Sequence, residues 1–574
     1  MTFHEILLNL RATPHSPSEI ATALIETAAN LKSGIANSEN SLAMKSVADS
    51  GNSTLLQVAA RALLESPPEQ RLSDLSAMLD SNAGRDFGEF WIRYDAARQL
   101  VGFINEAESV RFSYGCSIRS ALLFALDCRE KSQPTRIEYS GWGPENQFLE
   151  KMAIILELDI FVHDVRPWVR AGQSACEVEV IMPPFGADMS RADDIPDSTL
   201  SHLGIFGGKH GRLSSESVAI ADALQNAEGR VILLVSEGAL FRAVGVESVA
   251  REELVHSGRL KAVMGLGPSM MLQNTSINSA LLMLAEKGSR HDTIRFVNLS
   301  DDHLAIRRER GRLEIRKEAN WAELPALTLT GSETFAQDID LPTIKAEGYT
   351  LTIDRYLDRH ARDAIEQLLE KSEVAELADL VELIRPAALM HQEDGEYTIL
   401  EAAPGDIGED GYVAGPSREI NVDRVLYRKA FNQQLRPGDV LISFKGTIGK
   451  IGLVPDDVPT EGASTIWAAG QSLMILRLKG RHRLSPYALY EYLSDEIVQE
   501  HLKSLAGGSA IQTIAMKDLK SFSIPIPDQE TQHEIAAAVA RRQAIHKQIE
   551  HLRAEIENER KSSWPHKELR SPQG

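Results

Sequence analysis

"VEVIMPPFGADMS", Val178 to Ser190, reads as a short β-strand that stops at two consecutive prolines and an aromatic residue. The two proline rings fix φ and remove two backbone donors, so the corner Met182-Pro183-Pro184-Phe185 is stiff and its carbonyls point outward. Alone, such a corner is an ordinary way to end a strand, and its surroundings give it weight. Upstream, "SVRFSYG", "TRIEYSG" and "DIFVHDV" read as strands, with helical "IRSALLFALDCREK" and "PENQFLEKMAIILEL" between them. Downstream, the strands "RVILLVS", "LKAVMGLG" and "INSALLMLAE" are interleaved with helical "SSESVAIADALQNA" and "VESVAREELVHSG". This alternation predicts an α/β fold with a parallel, doubly wound sheet over residues 91–300.

Working outward, residues 1–90 carry apolar residues at i, i+3, i+4 in "EIATALIETAANL" and "TLLQVAARALLES", which predicts an N-terminal helical bundle. Residues 301–375 read as a charged connecting segment. A second, mixed α/β domain is expected over 376–528, from the strands "GDVLISFKG", "KIGLVP" and "SLMILRLKG" and the helical "SPYALYEYLSDEIVQEHLKSL". A long helix follows over 529–562, with a broken apolar stripe at Ile535, Val539, Ile545, Ile549 and Leu552 that suits a partner helix or its own domain. Residues 563–574 read as a disordered tail.

The 574 residues suffice for two to four cores. No apolar run reaches the ~18 residues of a membrane span and the N-terminus lacks a signal-peptide shape, so a cytoplasmic location is expected. Cys116, Cys128 and Cys176 have no metal-ligand or paired spacing, and no metal is expected. The net charge of −21 argues against polyanion binding by the whole surface. Residues 421–525 depart from it, with 13 Lys/Arg against 10 Asp/Glu.

Several longer runs stand in a familiar order. They are "GEFWIRYDAARQLVGFI", "SVRFSYGCSIRSALLFAL", "RIEYSGWGPENQFLEKMAIILE", "VEVIMPPFG", then the run from Gly229 to Leu284 with Ser236-Glu237-Gly238, Leu240-Phe241, Thr275 and Ile277, and "EGYTLTIDRYLD". In this order residues 88–283 resemble the modification (methyltransferase) subunit of type I restriction-modification systems. "LRPGDVLISFKGTIGKIGLV" and "GGSAIQTIAMKDLKSFSIPIPDQETQHEIA" make residues 376–560 similar to half of the matching specificity subunit. The resemblance implies a Rossmann-like N6-adenine methyltransferase domain using S-adenosylmethionine, then a target-recognition domain and a spacer helix.

Three departures from the family pattern stand out. The cofactor loop, usually glycine-rich so that backbone can approach the donor, is here Tyr114-Gly115-Cys116 with one glycine. The acidic residue expected after the second strand is replaced by Trp142 or Gly143, with Glu138 and Glu145 nearby. At the base-binding corner the family's Asn or Asp is Met182, whose thioether is a weak acceptor, while Pro183, Pro184 and Phe185 remain. One well-placed electrostatic contact is worth roughly 10²–10³ in rate. With these departures, the resemblance implies a sequence-recognising DNA-binding component of a restriction-modification or related phage-defence system, with methyl transfer impaired or lost. The alternative is an active methyltransferase with atypical motifs; a protein–protein module without DNA contact also accords with the acidic charge.

In the second domain, Lys445, Thr447 and Lys450 on the turn "FKGTIGK" are candidate DNA contacts, as are Gly508, Ser509 and Gln512. The partners implied are double-stranded DNA, a second copy through the C-terminal helix, and a separately encoded nuclease or translocase. The last follows because the chain carries no trusted nuclease motif and no Gly-x4-Gly-Lys-Ser/Thr loop.

Overall fold

The computed structural model describes residues 17–34, 52–80, 91–104, 106–170, 173–192, 194–206, 213–242, 246–272, 277–308, 312–330, 333–357, 365, 367–392, 395–416, 418–459, 465–480, 483–507 and 513–563. The chain forms two compact units, Met1–Leu357 and Asp358–Gly574.

The first unit is built on strands β1 (Ser109–Ser113), β2 (Arg136–Gly141), β3 (Phe161–Asp164), β4 (Val178–Ile181), β5 (Arg230–Ser236), β6 (Leu260–Leu266), β7 (Ser279–Leu284) and β8 (Thr293–Asn298). A small hairpin, β9 (Ala305–Arg307) with β10 (Leu313–Ile315), precedes β11 (Ala336–Asp340). Nine strands join in the order β11-β8-β6-β7-β5-β4-β1-β2-β3. The five strands from β3 to β5 run parallel, but β7 enters antiparallel between β5 and β6. The sheet is therefore mixed rather than wholly parallel. It also continues past residue 300, because β11 pairs antiparallel with β8 from Ala336↔Val297 to Asp340↔Thr293. That pairing takes residues up to 357 out of the role of connector.

One face of the sheet, with Val110, Phe112, Ile137, Tyr139, Val178 and Val180, shares a core with the helices Ile118–Glu130 and Pro144–Leu156. Helix Ile118–Glu130 is buried almost all round, Arg119 and Ser120 included, so it is covered on both sides. The outer cover is the N-terminal helices Pro17–Ser33, Ser53–Glu65 and Pro68–Asp80, which join the same core rather than a domain of their own. Lys151 and Glu26 pair at 2.6 Å across that junction.

Helices Ser215–Asn226 and Glu247–His256 cover the other face over β4 to β6. Toward β1 and β2 there is no such helix, since residues 165–170 and 173–177, the described part of the β3–β4 connection, are non-helical. There the sheet carries charge instead. Arg111 on β1 stands directly opposite Glu138 on β2 and Glu179 on β4. It reaches Glu138 at 2.9 Å and Glu179 at 3.5 Å. Arg170 of the connection bonds Glu179 at 2.6 Å and Asp222 at 2.5 Å, and His163 approaches Glu138 at 3.1 Å. Arg111, Glu138, Glu179 and Asp222 are all buried.

The second unit begins and ends on a two-stranded pair, β12 (Glu373–Glu376) antiparallel to β22 (Ser523–Ile526). Between them, β13 (Val381–Ile384), β16 (Val440–Ser443), β17 (Ile451–Leu453) and β19 (Leu473–Leu478) form an antiparallel sheet in the order β13-β19-β16-β17. A second sheet, β15-β14-β18, comprises β14 (Tyr397–Ala402), β15 (Arg418–Val422) and β18 (Thr465–Ala469). A ribbon of β20 (Ala506–Gly507) and β21 (Thr513–Ile514) lies near the exit. Helix Gln529–Ser563 then leaves, with Val539 its last buried apolar residue and 550–560 exposed all round.

Candidate active site and recognition turn

In an open α/β sheet, ligands bind beyond the carboxyl ends of the strands where the strand order reverses. Here that point lies between β1 and β4, which places the 114–117 loop beside the Met182–Phe185 corner. The Met182 N–H donates to the Ser113 carbonyl at 3.2 Å and joins the two.

Tyr114 has φ +68° and ψ 155°, a conformation that belongs to glycine and costs an L-residue about 1–3 kcal/mol. The loop thus keeps a glycine backbone under a tyrosine side chain. That ring is buried, with its centroid 6.4 Å from both Trp142 and Trp168, which lie 5.8 Å from each other. Burial pushes the Tyr114 phenol far above its ordinary range. Gly115 begins a short 3-10 turn and its backbone bonds the Glu145 carboxylate, which also accepts from the Tyr139 hydroxyl at 3.3 Å. Burial raises the Glu145 carboxyl above its usual value, against those two bonds. Cys116 packs into the core. Arg119 is fully buried: it donates to Asp80 at 2.8 and 3.0 Å and to the Ile92 carbonyl at 2.8 Å, and lies 4.9 Å over Trp91.

β2 ends at Gly141 and is followed by Trp142 and Gly143, and Trp142 is 38% exposed. The carboxylates nearby are already engaged. Glu138 lies in the ion network, where burial acts to raise its pKa but Arg111 and His163 bring it below the usual range. Asp164 accepts from Asn146 at 2.8 Å.

At the corner, the Met182 side chain is wholly buried in the core with Val178 and Val180, so it does not stand in front of a base site. Pro183 is buried, and Phe185 is half-buried against the same core. The Pro184 carbonyl accepts from the Ser215 hydroxyl, and the Gly186 N–H donates to Glu216 at 2.8 Å. Glu216, itself buried, also accepts from Ser236 at 2.7 Å. The corner is therefore latched to the start of helix Ser215–Asn226. Sequence reasoning missed Trp168, Ser215 and Glu216. "SSES" does carry a helix-start signal, since the Ser214 hydroxyl accepts from the Ser217 N–H at 3.3 Å.

In the second unit, Lys445, Thr447 and Lys450 lie on the β16–β17 turn. Ser443 closes it: its N–H donates to the Lys450 carbonyl at 2.9 Å, its hydroxyl accepts from the Lys450 N–H at 2.8 Å, and its carbonyl accepts from the Gly449 N–H at 2.9 Å. Gly446 and Gly449 both sit at φ +83°, as such a tight turn requires. Ile448 points into the core, Lys445 and Lys450 are half-buried, and Thr447 is the exposed tip with Gly446. Lys445 bridges Thr513, whereas Gly508, Ser509 and Gln512 lie outside the described residues. Among the described residues no cluster of His, Cys, Asp or Glu could hold a metal ion, and no helix is long and apolar enough to cross a membrane.

Strand order marks the first unit as a doubly wound fold of the methyltransferase kind. Residues 172–364 match the family model for N-6 DNA methylase, and residues 369–558 that for the type I restriction modification DNA specificity domain. The two matches put a segment similar to N-6 DNA methylases and a segment similar to type I restriction-modification specificity domains in one polypeptide. The first match begins at residue 172, after β1, β2 and β3. The type I restriction enzyme EcoBI specificity subunit of Escherichia coli is 29% identical over 146 residues, 25% of this chain and 28% of that protein. The chain spans little more than a quarter of the length of that curated relative. Two solved structures are similar in part. A type I restriction-modification methyltransferase subunit from Streptococcus thermophilus has 16% identity and a TM-score of 0.43, covering 52% of this chain and 67% of that one. The type IIG restriction endonuclease BpuSI has 11% identity and a TM-score of 0.41, covering 93% and 74%.

The N-6 DNA methylase family implies S-adenosylmethionine as donor. At this crevice a tyrosine stands at the loop head, a tryptophan follows β2, and the Gly115 backbone and Glu145 are bonded to each other.

Proposed function

We propose that the protein is a sequence-recognising DNA-binding component of a restriction-modification or related phage-defence system, whose methylase fold no longer transfers a methyl group. The observation that carries this reading is the Tyr114–Trp142–Trp168 cluster, which fills the carboxyl edge at β1 and β2. The buried Met182 and the latched Pro184 carbonyl support it, because an extruded base needs acceptors facing it. The specificity-domain segment supports double-stranded DNA as ligand. Cleavage or translocation then belongs to a separately encoded partner, and a second copy pairs through the C-terminal helix. A soluble, cytoplasmic protein accords with this role.

The test is selection of bound duplexes from a random-sequence pool, followed by incubation with tritiated S-adenosylmethionine. The expected outcome is an enriched motif with no label in DNA. Label in N6-methyladenine would instead support the second reading, an active N6-adenine methyltransferase, which the family match across the corner favours.

A further inference from the structure

We infer that the exposed face of helix Arg424–Ala430 is the surface on which the second unit grips the DNA duplex; this rests on the DNA-binding reading above. The helix is anchored from below by Leu426, Tyr427 and Ala430, which pack with Ile399, Ile420, Val422 and Ile466 of the β15-β14-β18 sheet. Tyr427 stacks on Tyr397 at 4.5 Å and meets Phe431 edge-on at 5.2 Å, which makes the base rigid. Arg424, Val425, Arg428 and Lys429 face outward. Among the described residues none of the three cations has a carboxylate within 4.0 Å, although the chain carries 82 acidic residues against 61 basic. The neighbouring carboxylate, Asp423, caps the helix through the Leu426 N–H at 2.8 Å and accepts from Gln392 at 3.3 Å.

Apolar side chains complete the face. Val425 is 62% exposed and Met390 74%. The Met390 loop is pinned beside the helix start, because His391 accepts from the Asn421 N–H at 3.2 Å and Gln392 from the Asp423 N–H at 2.5 Å. Three cations without a close ion pair among the described residues, Lys429 feeling only the more distant Asp423, surround exposed apolar groups on a rigid helix in an acidic protein and complement a ligand with many phosphates and an apolar groove floor such as the thymine methyl. Arg424 and Arg428 stand about 6 Å apart along the helix axis, one turn, so both can engage one backbone. The recognition turn offers less, since its lysines are half-buried.

The experiment is fluorescence anisotropy of the full chain with a labelled 30-base-pair duplex of random sequence, at several salt concentrations. The triple variant Arg424→Gln, Arg428→Gln, Lys429→Gln is expected to bind at least about tenfold more weakly. It is also expected to reduce the slope of log K against log salt by about two to three, near 0.9 per phosphate contact. Neutralising Lys261, Lys287 and Arg308 in the first unit serves as the charge control and is expected to leave that slope unchanged. Val425→Glu, a single change at an exposed position, is expected to weaken binding by itself and guards against misfolding of the triple variant. Wild-type binding with an unchanged slope and affinity in both helix variants overturns the assignment while the DNA-binding reading stands. No duplex binding by the wild type overturns both.

Discussion

Arg111→Ala is expected to destabilise the first unit by about 3 kcal/mol, the low end for breaking a buried pair, because Glu138 and Glu179 lose their shared cation while Glu138 keeps Arg136 and His163 and Glu179 keeps Arg170. Arg111 also donates to the Ser174 carbonyl, so the change frees the β3–β4 connection as well. Strands β2, β1 and β4 would then present two carboxylates to one another across a single strand. The effect has a pH signature. The native Glu138 carboxyl is held below its ordinary value, so its contribution is present above the unfolded-state value, near the usual glutamate range, and is lost as pH falls through the folded one. The gap between wild type and variant is therefore expected to be largest near neutrality and to shrink on acidification. Urea denaturation at pH 7 and at about pH 3.5, below the usual glutamate range, measures it. A loss below about 1 kcal/mol at pH 7 would mean the network does not hold this face together. Replacing Arg111, Glu138 and Glu179 together by apolar residues of similar volume is expected to cost far less, since no stranded charge remains.

A second large effect is expected in assembly. Ile545, Ile549, Leu552 and Ile556 recur at 4-3-4 spacing on helix Gln529–Ser563, at 54%, 37%, 55% and 66% exposure. That spacing is a heptad seam, and an apolar seam left in water favours a partner helix. With pairing through this seam, light scattering at micromolar concentration should give twice the 63.3 kDa chain mass. Ile549→Asp with Leu552→Asp should return the mass to that of one chain, with the thermal midpoint of the body unchanged. A wild-type monomer would remove the proposed pairing. A dimer that survives both substitutions would place the interface elsewhere.

The fold was largely legible because its central strands are short apolar runs between amphipathic helices. Val110 and Phe112, Ile137 and Tyr139, and Val178 and Val180 face the same core as their alternation predicts. Two features were not legible. A strand buried on both faces reads the same whichever way it runs, so the antiparallel entry of β7 left no mark in "INSALLMLAE". β11 carries Asp338, whose partner Arg295 on β8 lies 2.8 Å away, so β11 alone reads as charged and connector-like.

The candidate site divides in the same way. The sequence exposes Tyr114, Trp142 and Met182 as departures from the family pattern, but not where their side chains go. Trp168 comes from a connection with no periodic pattern, and only the fold brings its ring to Tyr114. Met182 continues the inward alternation of Val178 and Val180, so its burial follows from strand period, which the comparison with an asparagine or aspartate obscured. The "FKGTIGK" lysines look basic in sequence, yet the Ser443 bonds make this a closing turn.

Calorimetric titration of S-adenosylmethionine into the purified protein without DNA reads whether the donor crevice of this methylase fold is filled by its own aromatic side chains. No binding heat is expected up to millimolar concentration. Saturable binding at micromolar affinity would contradict it, because Tyr114, Trp142 and Trp168 would then have to yield the crevice to the donor, and the active-methyltransferase reading would take its place.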